Sequence, residues 1–191
     1  MKYHFYDWDD TLVLSKEALF LSYQKALAKW DITFEYQYFI DYIYKDSTSF
    51  LKELHFLDEE IKFVKNLKEK YYKEDFFDKI VFKFPKFNPD DKYYIVTNTK
   101  ASLVEEFIKR KFGNSDMFDG IIGIEDIGPE EKRKPAPDIY VRAFNIIRNN
   151  WKTSDELHIY EDSVVGLKAA VKFIEMYERR IKNFKIHHVK H

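Results

Sequence analysis

Three short apolar runs, each ending on acidic or hydroxyl-bearing residues, constrain this chain more than any other feature of its sequence. Tyr3-His4-Phe5-Tyr6 runs into Asp7-Trp8-Asp9-Asp10-Thr11, Tyr93-Tyr94-Ile95-Val96 into Thr97-Asn98, and Leu157-His158-Ile159-Tyr160 into Glu161-Asp162-Ser163. Short continuous apolar runs followed by helical periodicity read as buried parallel strands. Ligands of an open α/β sheet bind outside the carboxyl ends of its strands, so these polar residues are predicted to share one edge. Carboxylates gathered there make a seat for a hard cation and for an anionic group.

From about Asp91 onward, strands and helices alternate. Strands are predicted at Lys92–Val96, Phe118–Ile124, Leu157–Tyr160 and Phe184–Val189, and helices at Ala101–Phe112, Pro137–Arg148 and Val164–Lys182. Leu103, Val104, Phe107 and Ile108 repeat at helical spacing and are closed by Gly113, while Ile139, Tyr140, Ala143, Phe144 and Ile147 form a second inner face. Repeated β-α units imply a parallel sheet with right-handed crossovers, and Tyr3–Tyr6 joins that sheet from far away in the chain. The segment between reads differently. Ala18, Leu19, Leu21, Ala26 and Leu27, then Phe50, Leu51 and Leu54, then Ile61, Val64, Leu67 and Tyr71 keep helical spacing, and Asp31, Asp46-Ser47 and Asp58 suit turns or helix starts. The predicted class is therefore α/β: a Rossmann-like parallel sheet flanked by helices (residues 1–14 and 83–191), with an inserted all-helical cap (residues 15–82). A helical insert after the first strand is expected above the carboxyl edge, where a lid excludes water and selects the substrate. A bundle that only packs fits the same pattern.

Composition removes several classes. The formal net charge is −1, so no overall field favours nucleic acid or an anionic membrane. The apolar share of 45% supports a folded core, and no run reaches the roughly 18 apolar residues of a membrane span. Cysteine is absent, which excludes disulfides, thiolate metal ligands and a cysteine nucleophile. With Asp7 so near the start and no secretory apolar region before it, a cytoplasmic location is expected. The aromatics are spread along the whole chain and read as core filler, not as base-stacking platforms.

Each motif has a chemical and a structural reading. Asp7 and Asp9, two residues apart just past a strand, can face one pocket. An ionised Asp can attack phosphorus, and a second one beside it can hold a proton for the leaving group. The same string suits a turn in which Thr11 or Asp10 caps a helix. Thr97-Asn98-Thr99 before a helix suits phosphate binding or simple capping. Lys134 is better framed: Pro135 keeps it out of helical geometry and Pro137 suits the first helical turn, so the ammonium has a defined point of emergence. Glu161 and Asp162 offer oxygen ligands suited to Mg²⁺, and a doubled acid at a buried strand end is costly without a cation. Ser163 suits a cap, and Gly166 allows a close approach. His4 and His158 read as core residues. His187, His188 and His191 could take up adventitious metal but lack a partner pattern.

Taken together and in this order, the four motifs resemble the haloacid dehalogenase-like superfamily of phosphatases and phosphomutases. The resemblance rests on Asp7-Trp8-Asp9-Asp10-Thr11-Leu12, on the strand ending at Thr97-Asn98, on Lys134-Pro135-Ala136-Pro137-Asp138-Ile139-Tyr140, and on Glu161-Asp162-Ser163 with Gly166, Ala169 and Ala170. It covers nearly the whole core, and the cap matches only in size, position and helicity. It implies a Mg²⁺-dependent phosphatase acting through an aspartyl-phosphate, with Asp7 as nucleophile and Asp9 as acid and then base. Thr97, Asn98 and Lys134 would hold the phosphoryl oxygens; Asp7, Asp9 (through its carbonyl), Asp162 and Glu161 would hold the metal. The expected partner is a small phosphorylated metabolite, with no nucleic acid and no membrane, in a monomer or homodimer.

Three departures stand out. Asp10 occupies a place usually taken by Gly, its charge either facing solvent or altering the metal site. The lead over Phe84–Asp91 is short, and the last helix lacks the Gly that usually turns it into the final strand. Two rival readings remain: a sugar phosphomutase, which commonly places a His early in the cap where this chain has Leu19 and Phe20, and a silent binding protein, which should have lost a motif carboxylate.

Overall fold

The computed structural model describes residues 1–44 and 46–190. These form two compact units, Met1–Val13 with Phe82–His191, and Leu14–Val81.

The first unit is built on a five-stranded sheet of order β3-β2-β1-β4-β5, with β1 at Lys2–Tyr6, β2 at Lys92–Val96, β3 at Gly120–Ile122, β4 at Glu156–Glu161 and β5 at Asn183–His188. All four pairings are parallel. β1 lies at the centre, with Phe5 opposite Tyr94 on one side and Ile159 on the other. Side chains alternate between faces. Tyr3, Phe5, Tyr94, Val96, Leu157 and Ile159 point to one face and form a single core with Ile139, Tyr140, Ala143, Phe144, Ala169, Ala170 and Phe173 from the helices Asp138–Ile147 and Val164–Tyr177. The Ala101–Phe112 helix buries Leu103, Val104, Phe107 and Ile108, and Phe107 meets the ring of Trp8 at 5.4 Å.

The remaining face of β2, β1, β4 and β5 carries a layer of stacked rings. His4 stacks on Tyr93 at 4.7 Å, Tyr6 on Tyr160 at 4.2 Å, and Tyr160 on His187 at 4.3 Å. Polar atoms are paired within the layer: His4 Nδ1 with the Tyr160 hydroxyl at 3.2 Å, and His158 Nδ1 with His187 Nε2 at 3.0 Å. His187 is thereby a packing residue, and His188 Nε2 lies 3.0 Å from the Asp162 carbonyl; His191 lies outside the described residues.

The second unit is helical: Lys16–Leu27, Ser47–Glu53 and Asp58–Tyr71, with short turns between and after them. Asp46 caps the Ser47 helix by accepting from the amides of Thr48 and Ser49, each at 3.1 Å. Asp58 opens the next helix, where the Leu57 amide donates to Glu60 Oε2 at 2.8 Å. Asp31 takes a left-handed φ of 56° and closes a turn. Its core gathers Tyr23, Leu27, Phe39, Ile43, Phe50, Leu51, Ile61 and Val64.

Two predicted elements are shorter in the structure. β3 occupies only Gly120–Ile122, because Phe118 closes a turn on Ser115, and Gly123 begins a tight turn by donating to Asp126 Oδ2 at 2.8 Å. The last helix stops at Tyr177, not Lys182. The Tyr177 carbonyl accepts from both the Arg180 and Ile181 amides at 2.8 Å, and that turn drops Ile181 into the core. A wide reverse turn does what a glycine usually does there.

Burial holds the imidazoles of His4 and His187 below the ordinary value of 6.5, with Asp91 partly opposing at His4 and the neighbouring His158 adding at His187. Both are favoured neutral in the fold. The unfolded chain therefore takes up protons first as the pH falls through 6.5, and the stability present above that value is lost below it. The melting temperature is expected to drop between about pH 7.5 and about pH 5.5, and His4→Phe should flatten that drop in calorimetric scans.

Candidate active site

Because β1 pairs in parallel with both β2 and β4, the carboxyl ends of these strands lie side by side. Asp7 leaves β1 with its amide donating to the Tyr160 carbonyl at 2.9 Å, and Thr97 leaves β2 with its amide donating to Ile122 at 2.9 Å. Glu161 is the last residue of β4 and Asp162 follows it. The residues expected to act together thus converge from three strand ends and one loop.

At the centre is a buried ammonium. Lys134 Nζ donates to Asp7 Oδ1 at 2.7 Å, to Glu161 Oε1 at 2.6 Å and to the Val96 carbonyl at 2.7 Å. All three donor positions are used, and the side chains of Lys134 and Glu161 are only 3% and 1% exposed. Burial works against the ammonium, but the charges of Asp7 and Glu161 outweigh it and hold Lys134 above its ordinary value. Two carboxylates against one ammonium leave an excess of negative charge. Burial first, and then the Glu161 charge, push the Asp7 carboxyl above its usual range, with Lys134 opposing.

Three neighbours fix this arrangement. The Asn98 side chain grips the backbone of Lys134, accepting from its amide at 3.0 Å and donating to its carbonyl at 3.3 Å. The side chain of Asn98, a residue expected on a phosphate, is thus engaged with the loop that carries Lys134. Tyr140 donates its hydroxyl to Glu161 Oε1 and sets its ring 5.1 Å from Lys134 Nζ. Gly166 approaches the Glu161 carboxylate so closely that a Cβ there would fall 1.8 Å from Oε2. The close approach expected of Gly166 is thus to a carboxylate, while Ser163 caps the helix by accepting from the Gly166 amide at 3.0 Å.

The loop after β1 is tightly folded. The Asp10 amide donates to the Val13 carbonyl at 2.6 Å, and the Val13 amide returns to Trp8 at 3.1 Å. Asp10 takes a φ of 56°, a left-handed conformation in which Gly is at ease and Asp is among the more tolerated alternatives. Its side chain is buried, so of the two expectations for its charge, the solvent-facing one is corrected. Asp9 is half-buried, and its Oδ2 accepts from the Thr99 hydroxyl at 2.5 Å. The Thr97 hydroxyl accepts from the Thr99 amide at 3.0 Å.

The donor set fits a hard divalent cation. One carboxylate oxygen from each of Asp7, Glu161 and Asp162 lies within 4.8 Å of the others. Glu161 Oε2 is buried and has no hydrogen-bond partner among the described residues, an orphaned oxygen that a cation would satisfy. Tyr140 and Thr99 lie inside two of the motifs, where neither was expected to have a role of its own. Tyr140 reads from the sequence as one more member of an apolar stripe, although a tyrosine on a buried face needs a partner for its hydroxyl.

Lys134→Met should leave two buried carboxylates facing each other without their counter-charge, lowering stability by about 3–5 kcal/mol in chemical denaturation. Gly166→Ala should displace the Glu161 side chain and cost about 1–3 kcal/mol by the same measurement.

The family model for haloacid dehalogenase-like hydrolases matches residues 1–173. No curated protein sequence matches the chain. Among solved structures, a provisionally assigned phosphoglycolate phosphatase from Lactobacillus plantarum shares 19% identity, with a TM-score of 0.71 over 97% of this chain and 86% of its own. A variant of CbbY from Rhodobacter sphaeroides, solved with xylulose-1,5-bisphosphate, shares 18% identity, with a TM-score of 0.71 over 91% of this chain and 82% of its own. A provisionally assigned β-phosphoglucomutase from Thermotoga maritima shares 17% identity, with a TM-score of 0.68 over 100% of this chain and 86% of its own. At these identities the likeness speaks for the fold, and it agrees with the strand order, the motif positions and the family match: the chain belongs to the haloacid dehalogenase-like hydrolases.

Proposed function

We propose that the protein is a Mg²⁺-dependent phosphatase that hydrolyses a small phosphorylated metabolite through an aspartyl-phosphate. The observation that carries this reading is the Lys134 ammonium bridging Asp7 and Glu161, with the Asp162 carboxylate beside them. An attacking carboxylate, a fixed positive charge and a set of oxygen ligands around one point are what phosphoryl transfer requires.

In this reading an Asp7 carboxylate oxygen attacks phosphorus, the ester P–O bond breaks, and the leaving oxygen takes a proton from Asp9. A water molecule then attacks the aspartyl-phosphate, giving up a proton to Asp9, and inorganic phosphate departs with Asp7 restored. Thr97 holds a non-bridging oxygen, and the fixed Lys134 ammonium supplies positive charge beside the phosphoryl group. Asp7, Asp162, Glu161 and the Asp9 carbonyl would hold the Mg²⁺, which when bound would supply positive charge against the repulsion between the carboxylate and the phosphate dianion. The helical segment 15–82 serves as the cap that selects the substrate. No step calls for a membrane or for nucleic acid, and none of the described helices is long and apolar enough to cross a membrane. Hydrolysis is preferred over a mutase reaction because Leu19 and Phe20 stand where mutases of this group commonly carry a His.

Purified protein should release phenol from an aryl phosphate with Mg²⁺ present and stop when EDTA is added. Asp7→Asn should reduce turnover by about 10⁴-fold or more while keeping the wild-type circular dichroism spectrum. Wild-type turnover in that variant would falsify the assignment of the nucleophile.

A further inference from the structure

We infer that Thr99 is the positioning residue for the proton carrier: its hydroxyl holds the Asp9 carboxyl group in place and stabilises the charge that Asp9 acquires on giving up its proton. The inference rests on the hydrolytic reading above and adds a residue that the motifs do not assign.

The contact joins two loops from distant parts of the chain. Thr99 Oγ1 donates to Asp9 Oδ2 at 2.5 Å across a separation of 90 residues. Thr99 is itself held rigidly. Its amide donates to Thr97 Oγ1 at 3.0 Å, and its carbonyl accepts from the Ile124 amide at 3.1 Å. Gly123 presses against the same turn, where a Cβ would fall 2.6 Å from the Thr99 carbonyl oxygen and 2.1 Å from the Ala101 nitrogen. The following helix is pinned by Glu125, which accepts from the Ala101 and Ser102 amides, each at 2.8 Å. The hydroxyl therefore sits at a point fixed by β2, by the turn after β3 and by a helix start. Asp9 lies in the loop after β1 and is only half-buried, so a fixed donor defines its place.

Proton accounting gives this contact a catalytic consequence. As the Asp7 oxygen bonds to phosphorus and the ester P–O bond breaks, the leaving oxygen takes the Asp9 proton and Asp9 becomes an anion. A hydroxyl donor aimed at Oδ2 strengthens as that charge develops. In the second step the same anion takes a proton from the attacking water. Thr99 should therefore matter in proportion to how strongly the leaving group needs a proton, a dependence that loss of packing would not produce.

The test compares phenyl phosphate, whose leaving group needs a proton, with 2,4-dinitrophenyl phosphate, whose leaving group does not. Thr99→Val should lower kcat/KM for phenyl phosphate by about 10- to 100-fold, the loss of one hydrogen bond to a charged group, and change it little for the dinitrophenyl ester. With the dinitrophenyl ester, kcat and KM should fall together, with a burst of dinitrophenolate matching the enzyme concentration, because release of the aspartyl-phosphate still needs Asp9. Thr99→Ser should restore both esters. If Thr99→Val does not fold, Thr99→Ala gives the same comparison. Equal losses of kcat/KM on both esters, or no loss on either, overturn the inference while the hydrolytic reading stands. A wild-type protein inactive on both esters removes that reading and the inference with it.

Discussion

The structure of the site depends on one buried ammonium between two carboxylates. Placing Lys134 out of water is unfavourable in itself, and so is burying Asp7 or Glu161; each becomes tolerable only with the others at hydrogen-bond distance. That mutual dependence ties together β1, β2, β4 and the loop before the Asp138–Ile147 helix, because each contributes one partner. Sheet register is part of the same constraint. A slip of β1 by one residue would turn every side chain to the opposite face and carry Asp7 away from Lys134.

Much of this was legible from local pattern. The three strands ending at Tyr6, Val96 and Tyr160 were readable because a continuous apolar run with an abrupt polar end suits a buried strand and little else, and a parallel sheet then places the polar ends together. The Lys134 loop was readable because two prolines restrict its backbone. What could not be read were contacts whose partners are far apart in sequence. Nothing local says that the Asn98 amide closes on the Lys134 backbone 36 residues away, or that Thr99 reaches Asp9. Tyr140 was placed on the correct helix face, but its periodicity registers the ring and is blind to the hydroxyl. Gly166 was legible as a close approach, whereas the carboxylate it approaches was not.

Element ends failed for a related reason. The helix after β4 keeps its apolar spacing past Tyr177, so periodicity extends it to Lys182. It stops because one carbonyl satisfies two amides and sends Ile181 inward, a decision made by burial in the core. The β3 prediction likewise followed apolar residues through Ile124, although the chain winds into a 3₁₀ turn over Ile124–Asp126, with Gly123 packed closely on Thr99 and Ala101. In both places tertiary packing overrides a locally consistent pattern.

Charge explains why the site holds more acid than an ordinary nucleophile needs. Three carboxylates, those of Asp7, Glu161 and Asp162, gather around the one ammonium of Lys134 in a largely buried setting. A phosphate dianion entering such a cluster would meet net repulsion, and the buried Glu161 Oε2 would remain without a partner. A divalent cation held there would remove both difficulties, since it would offset the negative charge and take that oxygen as a ligand. Such a cation would also oppose the burial and the Glu161 charge that raise the Asp7 carboxyl above its usual range. On the proposed phosphatase reading, the extra carboxylates serve to seat that cation.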